Sequence, residues 1–586
     1  PVSMHAMRGI SAHSNGFHTC RLIHLLQMLL GTIDVPGGFL YKSPYPNPSP
    51  PPNKPVGPAH PVQSDAPHPR PPHGLVEGPE DLLVEDDGTP CRIDKGFSWE
   101  APIAAHGLMH MVIRNAYEGD PYPIDTLFMY MANMSWNSSM NTGATIDMLT
   151  ARDEETGEYR IPHIIYSDAF ASEMVFYADL ILPDTTYLER HDCLSMLDRP
   201  ISSAEGPADA IRWPVIEPDR DVRPFQDVLL DIGVRLGLPG MTNEDGQPVY
   251  PGGYADYLVN HERRPGIGPL AGWRGETGED EMVGKPNADQ LEVYKENNCF
   301  WQFKLPQSQR YYRFANRDYL DWAATVGFVS NAEPIILQLY SEPMQKFRLA
   351  ALGHGAIQPP DHLRNRVETY FDPLPFWYPP LGEGDGEDDD EGDAWPLHAI
   401  TQRPMAMYHS WGSQNAWLRQ IHGDNCLYMN RETAASYDID DGDWIWVESP
   451  TGRIKGEVKL MEGVNRDTIW TWNAIAKRRG AWNLATDVAE ASRAVLLNHL
   501  IPECLPATDG EGGQRVHSNS DPVTGQAAWY DLKVRITKAK APAEAGESAP
   551  QFGILPTLPG LPEAPRILRY GEAFRGRAKP LRGFGR

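Results

Sequence analysis

Three short apolar runs, each followed by a polar segment, constrain the fold of this 586-residue chain most strongly. The runs are IDTLFMYM (124–131), IPHIIYSD (161–168) and DLILP (179–183), and each has the length of a buried strand. ASEMVFYA, between the second and third runs, is typical of a helix, so we expect parallel strands joined by helical crossovers. In such sheets ligands lie at the carboxyl ends of the strands, which places a candidate site near Asn133 and Asp168.

A second region, from about residue 395 to 541, has strand-like runs separated by Gly, Pro, Asn and Asp turns. GDWIWVESPTGRIKGEVKL (442–460) predicts a hairpin that turns at residues 450–452. TIWTW (468–472) and WYDLKVRI (529–536) predict further strands. A closed β-barrel removes the exposed edges of such strands. The sequence therefore predicts parallel α/β structure followed by a β-barrel.

The chain is too long for one hydrophobic core, because single cores stop growing at about 250–300 residues. A proline-rich stretch (47–74) predicts extended loop, and the acidic run GEGDGEDDDEGD (382–393) predicts a solvated linker. The chain starts within motif-like sequence, so we expect the carboxy-terminal part of a longer protein. The predicted divisions are 1–120, part of an α/β domain with a long proline-rich loop; 121–240, an α/β domain; 241–394, the remainder of the α/β region and the acidic linker; 395–541, the barrel; and 542–586, a basic tail.

The composition excludes several classes of function. The net charge of −27 argues against nucleic acid as a partner, because phosphate binding needs a basic surface. No apolar stretch approaches the roughly 18–20 residues that cross a bilayer, so we expect any membrane link to run through a partner. The six cysteines are scattered without a C-x-x-C pair, which disfavours zinc and iron–sulfur sites within this chain. The motifs of nucleophile elbows, zincins and P-loops are absent as well.

The last 21 residues reverse the charge of the chain. RILRYGEAFRGRAKPLRGFGR (566–586) contains seven basic residues and one acidic residue, Glu572. One interpretation of this run is a solvated tail. The interpretation that we favour is docking on an acidic partner subunit, because opposite charges attract over long range.

Polar residues concentrated in loops after strands suit a large ligand held by many hydrogen bonds. An ordered set of such segments resembles the carboxy-terminal half of the molybdopterin oxidoreductases of the dimethyl sulfoxide reductase family. The resemblance covers about residues 1–40, 120–240 and 395–537. The segments that carry it are GISAHSNG (9–16), LLGTIDVPGG (29–38), YMANMSWN (130–137), SDAFASEMVFYADLILPDTTYLER (167–190), TQRPMAMYHSW (401–411), GDWIWVESPTGRI (442–454) and SNSDPVTGQAAWYDLKVRI (518–536).

This resemblance implies a fold and a cofactor. Members of the family hold one molybdenum ion between two molybdopterin guanine dinucleotides, enclosed by Rossmann-like domains and a terminal double-psi β-barrel. Residues 1–120 would then form part of a molybdopterin-binding α/β domain, 121–240 a Rossmann-like domain that binds the guanine dinucleotide, and 395–541 the barrel that binds the molybdopterin dinucleotide. The four-iron four-sulfur cluster and the molybdenum ligand are expected in an amino-terminal half beyond this sequence, so no metal ligand is assigned within it.

The resemblance also implies roles for individual residues. In the loop at 131–139, Ala132 and Met134 replace the Gly and Pro of the family's G-x-N-P turn, which puts close backbone approach to the cofactor in question. Glu173, Asp179 and Glu189 are expected to fix their loops structurally. The implied cofactor contacts are Gly9, Ser11 and His13 near a pterin; Asn133 and Ser135 at the pyrophosphate or guanosine; Asp168 at guanine or ribose hydroxyls; Arg403 on phosphate oxygens; His409, Ser410, Trp411 and Asn415 at a pterin edge; and Asn519, Asp521 and Gln526 on the wall before the last strand.

Within the family, FDPLPFWYPP (371–380), QNAWLRQIH (414–422) and LLNHLI (496–501) most resemble catalytic subunits of quinone-linked, membrane-associated sulfite dehydrogenases. The resemblance implies oxidation of sulfite to sulfate at the cytoplasmic face of the inner membrane. Two electrons would pass first to an iron–sulfur subunit, then to a membrane anchor subunit. Reduction of thiosulfate, polysulfide or tetrathionate is an alternative within the family. A non-catalytic cofactor-binding or assembly module is an alternative from another class.

A small anionic sulfur substrate needs local cations, because a chain with a net charge of −27 repels anions overall. Arg8 directly precedes the first motif, His18 and Arg21 follow it closely, and these three residues are the candidate cations. Simple structural roles are the alternative for all three.

Overall fold

The computed structural model describes most of the chain in separate segments. These segments are residues 2–4, 8–33, 35–39, 76, 78–103, 107–195, 208–261, 270, 289–302, 322–328, 340–381, 394–407, 409, 418, 421–422, 425–473, 475, 495–505 and 517–541. The proline-rich stretch, the acidic run and the basic segment 566–586 lie outside them.

The described part contains both helices and strands. The helices are α1 (Arg8–Ser11), α2 (Gly16–Leu29), α3 (Val112–Glu118), α4 (Thr142–Thr150), α5 (Phe225–Arg235), α6 (Gly253–Asn260), α7 (Gln290–Glu296), α8 (Ser341–Ala351), α9 (Asp361–Tyr370) and α10 (Arg431–Ser436). The strands are β1 (Thr126–Tyr130), β2 (His163–Asp168), β3 (Leu180–Pro183), β4 (Asp192–Ser195), β5 (Ala208–Arg212), β6 (Phe300–Gln302), β7 (Leu397–Gln402), β8 (Leu427–Met429), β9 (Trp444–Glu448), β10 (Arg453–Leu460), β11 (Thr468–Trp472), β12 (Cys504–Leu505), β13 (His517–Ser518) and β14 (Lys533–Ala539). No helix in these ranges has the length and apolar character that would let it cross a bilayer.

The predicted parallel sheet is confirmed. β1, β2 and β3 are hydrogen-bonded in that order, with Thr126 opposite His163 and Ile165 opposite Leu180. Alternate residues of β1 and β2 are buried against the apolar sides of α3 and α4. Because the strands are parallel, their carboxyl ends lie at one edge of the sheet. The predicted helix between β2 and β3 is a 3₁₀ helix over Glu173–Tyr177.

The predicted barrel is confirmed too. Among the described strands, β10, β8, β11, β7, β14 and β9 close a six-stranded barrel in that order. β7 pairs with β11 and β8 with β10 in parallel, whereas the other pairs are antiparallel. The β9–β10 hairpin turns where predicted, since the backbone N–H of Ser449 donates to the carbonyl of Gly452 at 2.9 Å. Aliphatic side chains such as Leu427, Val447 and Ile469 fill the interior, which is a packed core.

The start of α2 depends on contacts with distant parts of the chain. Gly16 is required there, because a Cβ atom would lie 2.3 Å from the carbonyl oxygen of Ser11. Ser14 and Asn15 precede the helix and have side chains of the kind that cap helices, but Asn15 at the N-cap position makes no side-chain capping bond. The backbone N–H of Phe17 instead donates to Oδ2 of Asp521 at 3.0 Å. A helix leaves its first N–H groups unpaired, and here a carboxylate 504 residues away accepts one of them.

Further described elements lie between the parallel sheet and the barrel along the chain. β4, β5 and β6 form an antiparallel sheet, and Tyr294 of α7 packs against Ile211 of β5 in a small apolar cluster. α8 and α9 pack together around Phe347, next to Trp99. The architecture is therefore mixed α/β structure with a parallel three-stranded sheet and a closed barrel near the carboxy-terminal end.

Candidate functional site

A cavity of about 540 Å³ lies where the polar loop after β1 meets one end of the barrel. β7 and β11 run parallel with Gln402 opposite Trp472, so the residues that follow these two strands emerge side by side. Asn473 donates its backbone N–H to the carbonyl of Gln402 at 2.7 Å. The cavity is lined by Arg8, Met131, Asn137, Ser138, Tyr187, Thr401, Gln402, Arg403, His409, Asn473, Asn498, Trp529 and Tyr530.

Buried polar atoms without a protein partner lie in this wall and directly behind it. Oδ1 of Asn137, Oδ1 of Asn473 and Nε1 of Trp529 belong to lining residues, and no hydrogen bond reaches them in the described structure. Oδ1 of Asn133 and Oγ of Ser135, in the loop after β1, are also without a partner among the described residues. Leaving a buried polar group unsatisfied costs about 1–3 kcal/mol. A cluster of such atoms around one cavity therefore indicates a polar ligand.

The loop after β1 is held rigidly from both sides. Nδ2 of Asn133 donates to Oε2 of the buried Glu173 at 2.7 Å. Nδ2 of Asn498 donates to the carbonyls of Asn137 at 3.2 Å and Ser139 at 2.8 Å, which ties the loop to the barrel side of the cavity. The predicted contacts Asn133 and Ser135 thus lie in this loop, but the loop residues that line the cavity are Met131, Asn137 and Ser138.

The first motif forms another wall. His13 Nδ1 is hydrogen-bonded to Oδ1 of Asp531 at 2.6 Å, and Ser14 donates to Oδ2 of Asp531 from its backbone N–H at 2.8 Å and its hydroxyl at 2.5 Å. Asp531 is buried just before β14. Gly9 and Ser11, which the sequence also predicts as contacts, are not among the lining residues, whereas Arg8 is. Arg8, directly before the motif, therefore contacts the cavity, and His13 and Ser14 anchor the motif itself.

Two arginines, Arg8 and Arg403, give the cavity a positive lining, and none of the described lining side chains is acidic. Burial lowers the pKa of Arg8, the nearby phenol of Tyr530 raises it, and the charge of Arg403 lowers it. Burial, then the charges of Arg403 and Arg8, lower the pKa of His409, which is therefore neutral at neutral pH. An anion between the two guanidinium groups would relieve their mutual repulsion, and guanidinium groups pair well with phosphate or other oxyanions.

Asp168 lies at the carboxyl end of β2, as the sequence predicts, and is buried. Its Oδ2 accepts from the Tyr166 hydroxyl at 2.6 Å, and its Oδ1 accepts from the backbone N–H of Phe170 at 3.0 Å. Burial, and then the charge of Asp168, raise the pKa of Tyr166 well above its ordinary value, so the phenol stays protonated and donates. The cavity does not reach Asp168 in the described structure, and its contact with guanine or ribose stays a prediction.

The predicted residues before the last strand lie behind the cavity wall. Asp521 is fully buried and accepts from the backbone N–H groups of Phe17, Val523 and Thr524 at 2.9–3.0 Å. Burial raises its pKa, whereas these donors lower it. Asn519 donates to the carbonyl of Pro502 at 2.9 Å, and its buried Oδ1 has no described partner. These contacts make Asp521 a structural anchor, and Gln526 likewise stands outside the lining set.

Of the remaining predicted contacts, Arg403 and His409 line the cavity. Ser410, Trp411 and Asn415 lie outside the described residues, and their pterin contacts stay predictions. Of the candidate cations, only Arg8 lines the cavity: His18 donates to the carbonyl of Tyr370 at 2.8 Å and Arg21 to that of Pro373 at 2.6 Å. The other lining residues were not predicted as contacts from the sequence; they are Met131, Asn137, Ser138, Tyr187, Thr401, Gln402, Asn473, Asn498, Trp529 and Tyr530.

Comparison with known proteins identifies the class to which this fold and cavity belong. A family profile described as "Molydopterin dinucleotide binding domain" matches residues 397–511, which hold five of the six barrel strands, β7 to β11. The chain belongs to the molybdopterin oxidoreductases of the dimethyl sulfoxide reductase family.

Within this family the chain is a homologue of the sulfite dehydrogenase catalytic subunit. It is 54% identical over 564 residues to the A subunit of the sulfite dehydrogenase of Allochromatium vinosum, a match that covers 96% of this chain and 57% of the relative. It is 24% identical over 423 residues to the thiosulfate reductase molybdopterin-containing subunit of Salmonella typhimurium, covering 70% of this chain and 44% of the relative. The solved structure of acetylene hydratase from Pelobacter acetylenicus matches with a TM-score of 0.42 and 18% identity over 73% of this chain and 46% of that one. The chain thus spans about half the length of the curated relatives that it matches.

Proposed function

We propose that the 540 Å³ cavity binds part of a bis-molybdopterin guanine dinucleotide cofactor. The buried, unpaired polar atoms of Asn137, Asn473 and Trp529 support this assignment, because pterin and guanine edges carry matching donors and acceptors. Arg403 fits the charge of the pyrophosphate. In this assignment residues 121–240 form a Rossmann-like domain and residues 395–541 a double-psi barrel, with 1–120 and 241–394 completing the α/β region.

The other predicted contacts belong to the same proposal. We infer that Asn133, Ser135 and Asp168 contact the nucleotide end, and that Ser410, Trp411 and Asn415 contact a pterin together with His409. Gly9, Ser11 and His13 would shape the pterin-facing loop. Asn519, Asp521 and Gln526 would support the wall from behind, since Asp521 already joins α2 to the turn before β14.

We propose further that the complete protein oxidises sulfite to sulfate. The observation that carries this proposal is the 54% identity to a sulfite dehydrogenase subunit over nearly the whole chain. Sulfite and water yield sulfate, two protons and two electrons, and the molybdenum centre when bound supplies the oxygen-atom chemistry. The residues of this chain bind and orient the reactants. The amide groups hold the organic cofactor, and Arg8 attracts the anionic substrate.

The electrons need an acceptor, and we propose an iron–sulfur subunit followed by a membrane anchor subunit, with quinone as the final acceptor. The name of the relative makes it one subunit of its enzyme, which supports a multisubunit complex. The four-iron four-sulfur cluster and the molybdenum ligand would lie in the part of the relatives that this chain does not span. The complex would stand at the cytoplasmic face of the inner membrane, held there by its partners.

Thiosulfate reduction is the second candidate, because a thiosulfate reductase subunit matches 70% of this chain at 24% identity. The purified full-length protein separates the two activities. Sulfite with a quinone analogue tests the oxidative direction, and reduced viologen with thiosulfate, polysulfide or tetrathionate tests the reductive one. We expect turnover with sulfite. Turnover with the reductive pairs alone would reassign the substrate.

Cofactor analysis tests the more general proposal. We expect molybdenum, together with two guanine nucleotides per metal ion released by hydrolysis. A correctly folded full-length protein that lacks both would instead be a non-catalytic binding or assembly module.

A further inference from the structure

A second cavity, of about 460 Å³, lies apart from the proposed cofactor site. Its walls come from three distant parts of the chain: residues 87–120, the start of α9, and the paired strands β12 and β13. None of its lining residues lines the 540 Å³ cavity. It is therefore a site distinct from the proposed cofactor site.

Carboxylates outnumber cations in this second cavity. Asp87, Glu100, Glu118 and Asp120 line it together with Lys95 and Arg114, so four negative groups face two positive ones. Lys95 Nζ lies 2.9 Å from Glu100 and 2.8 Å from Asp120, and Arg114 lies 3.0 Å from Glu118. Arg114 is also paired, through its Nε at 2.7 Å, with Glu503. Each cation is thus shared by two carboxylates, and negative charge remains uncompensated.

The uncompensated charge lies on the side from which a ligand enters. The Lys95 side chain is only 8% exposed and that of Arg114 is 25% exposed, whereas Glu118 is 43% and Asp120 55% exposed. An incoming group therefore meets carboxylates before it meets the buried cations. The deeper walls include apolar side chains, among them Trp99, Leu108 and Leu363. The cavity suits a ligand that combines guanidinium or ammonium groups with apolar side chains.

We propose that the occupant is the chain's own basic segment, residues 566–586. Its seven basic residues and one acidic residue complement the carboxylate rim, and Ile567, Leu568, Tyr570 and Phe574 supply the apolar component. The 24 residues from 542 to 565 separate it from the last described residue after β14. Fully extended, 24 residues span about 80 Å. Such a tether gives the segment a high effective concentration at the cavity, so that weak individual contacts suffice.

The charges of the two cavities also determine which of them can bind the basic segment. The 540 Å³ cavity presents Arg8 and Arg403 and repels a polycation, whereas the acidic cavity attracts one. If the segment docked on a partner subunit instead, the second, acidic cavity would stay open to solvent. The exposure of this acidic cavity therefore distinguishes the two arrangements.

Alkylation of Cys504 reports that exposure without any substitution in the cavity. The Cys504 thiol lines the acidic cavity, and burial, opposed by Arg114, raises its pKa to about 12, so the reaction is slow and easily timed. The full-length protein and a form that ends after Pro565 are treated with a maleimide, and each cysteine is followed by mass spectrometry. We expect removal of the segment to speed alkylation of Cys504 at least threefold, with Cys299 and Cys426 unchanged as internal controls. Equal rates at Cys504 in the two forms overturn the proposal.

Binding in trans identifies the surface that holds the segment. A fluorescent peptide of residues 566–586 is titrated against the shortened protein, and we expect binding that weakens as salt is added. Glu118→Gln with Asp120→Asn should weaken binding at least fivefold, and both cations keep a carboxylate partner in this variant. Asp219→Asn with Glu462→Gln removes the same charge at exposed positions elsewhere. Equal weakening by the two variants would mean unspecific attraction to an acidic protein, and the proposal fails.

Discussion

The two cavities of this molecule have similar volumes, about 540 and 460 Å³, but their linings carry opposite charge. They also differ in whether the polar groups of the lining have partners within the protein. The first has a positive lining and contains buried amide and indole atoms without partners among the described residues. The second has a negative lining whose cations are each paired twice. This contrast shows that a net charge of −27 does not decide which ligand a site takes. The local arrangement decides it, because buried charges are poorly screened by water.

The largest expected effect concerns the wall of the first cavity. Asp531→Ala removes the acceptor of three hydrogen bonds from His13 and Ser14 and leaves buried donors unsatisfied. We expect a loss of about 3–4 kcal/mol in the free energy of unfolding and loss of the bound cofactor. Thermal melts and molybdenum content of the full-length protein provide the measurement.

The control for this variant is Asp219→Ala, at a carboxylate whose side chain is 93% exposed. It should leave both quantities unchanged. A stable Asp531→Ala protein that retains its cofactor would show that the first motif is held by other contacts.

A pH dependence is expected next, at the buried histidine His110. His110 follows Leu108 and precedes Met111, which line the acidic cavity, and burial and the charge of Arg8 lower its pKa from 6.5 to about 4. In the unfolded chain His110 takes up a proton below about pH 6.5, whereas in the folded protein it is protonated only below about pH 4. The stability that neutral His110 allows is thus complete above pH 6.5 and declines as the pH falls. By pH 5 we expect a loss of roughly 2 kcal/mol from this residue.

His110→Gln should therefore reduce the fall in unfolding midpoint between pH 7 and pH 5. His354→Gln, at an exposed histidine, is the matched control and should preserve the fall. Identical pH profiles for His110→Gln and the original protein would remove His110 as the titrating group.

A smaller effect is expected at the positive lining. Arg8→Ala should raise the apparent KM for sulfite about tenfold, equivalent to about 1.4 kcal/mol, because one of the two guanidinium groups is lost. Arg235→Ala, at an exposed arginine of α5, should leave KM unchanged. An unaltered KM in the Arg8 variant, with cofactor content preserved, would exclude Arg8 from the path of the substrate.

The smallest effect is expected at the rim of the acidic cavity. Glu118→Gln breaks a partly exposed ion pair with Arg114, which keeps Glu503 as its partner. Pairs of this kind contribute less than about 1 kcal/mol, so we expect the unfolding free energy to change by under about 0.5 kcal/mol. A larger loss in urea unfolding would show that the rim carboxylates serve stability and would weaken their assignment to ligand binding.

The parts of the fold that could be predicted from sequence are those encoded by neighbouring residues. The apolar runs of β1 to β3 and the turn between β9 and β10 are local patterns, and the structure confirms both. The cap of α2 is not local, since Asp521 accepts from Phe17 across 504 residues. Ser14 and Asn15 have suitable side chains for capping, but Ser14 donates to Asp531 instead.

The candidate site was only partly predictable for the same reason. Arg403 directly follows β7, His409 lies further along the same segment, and the family resemblance implies contacts for both; the structure places both in the cavity wall. Asn473 also follows a strand, and the parallel pairing of β7 with β11 that brings it beside Gln402 has no signature in either strand alone. Trp529 and Tyr530 precede a strand, where the rule about carboxyl ends gives no reason to look.

The hydrogen bonds between the first motif and Asp531 also determine when, during synthesis of the chain, the wall of the first cavity can form. His13 and Asp531 are 518 residues apart, so nearly the whole chain must be synthesised before this wall exists. At about 5–20 residues per second, a ribosome takes roughly half a minute or more to cover that distance. Through that interval the motif has no anchor on the barrel side, and the cavity stays open to solvent. A cofactor that contacts all of these walls can therefore be enclosed only after Asp531 has been translated.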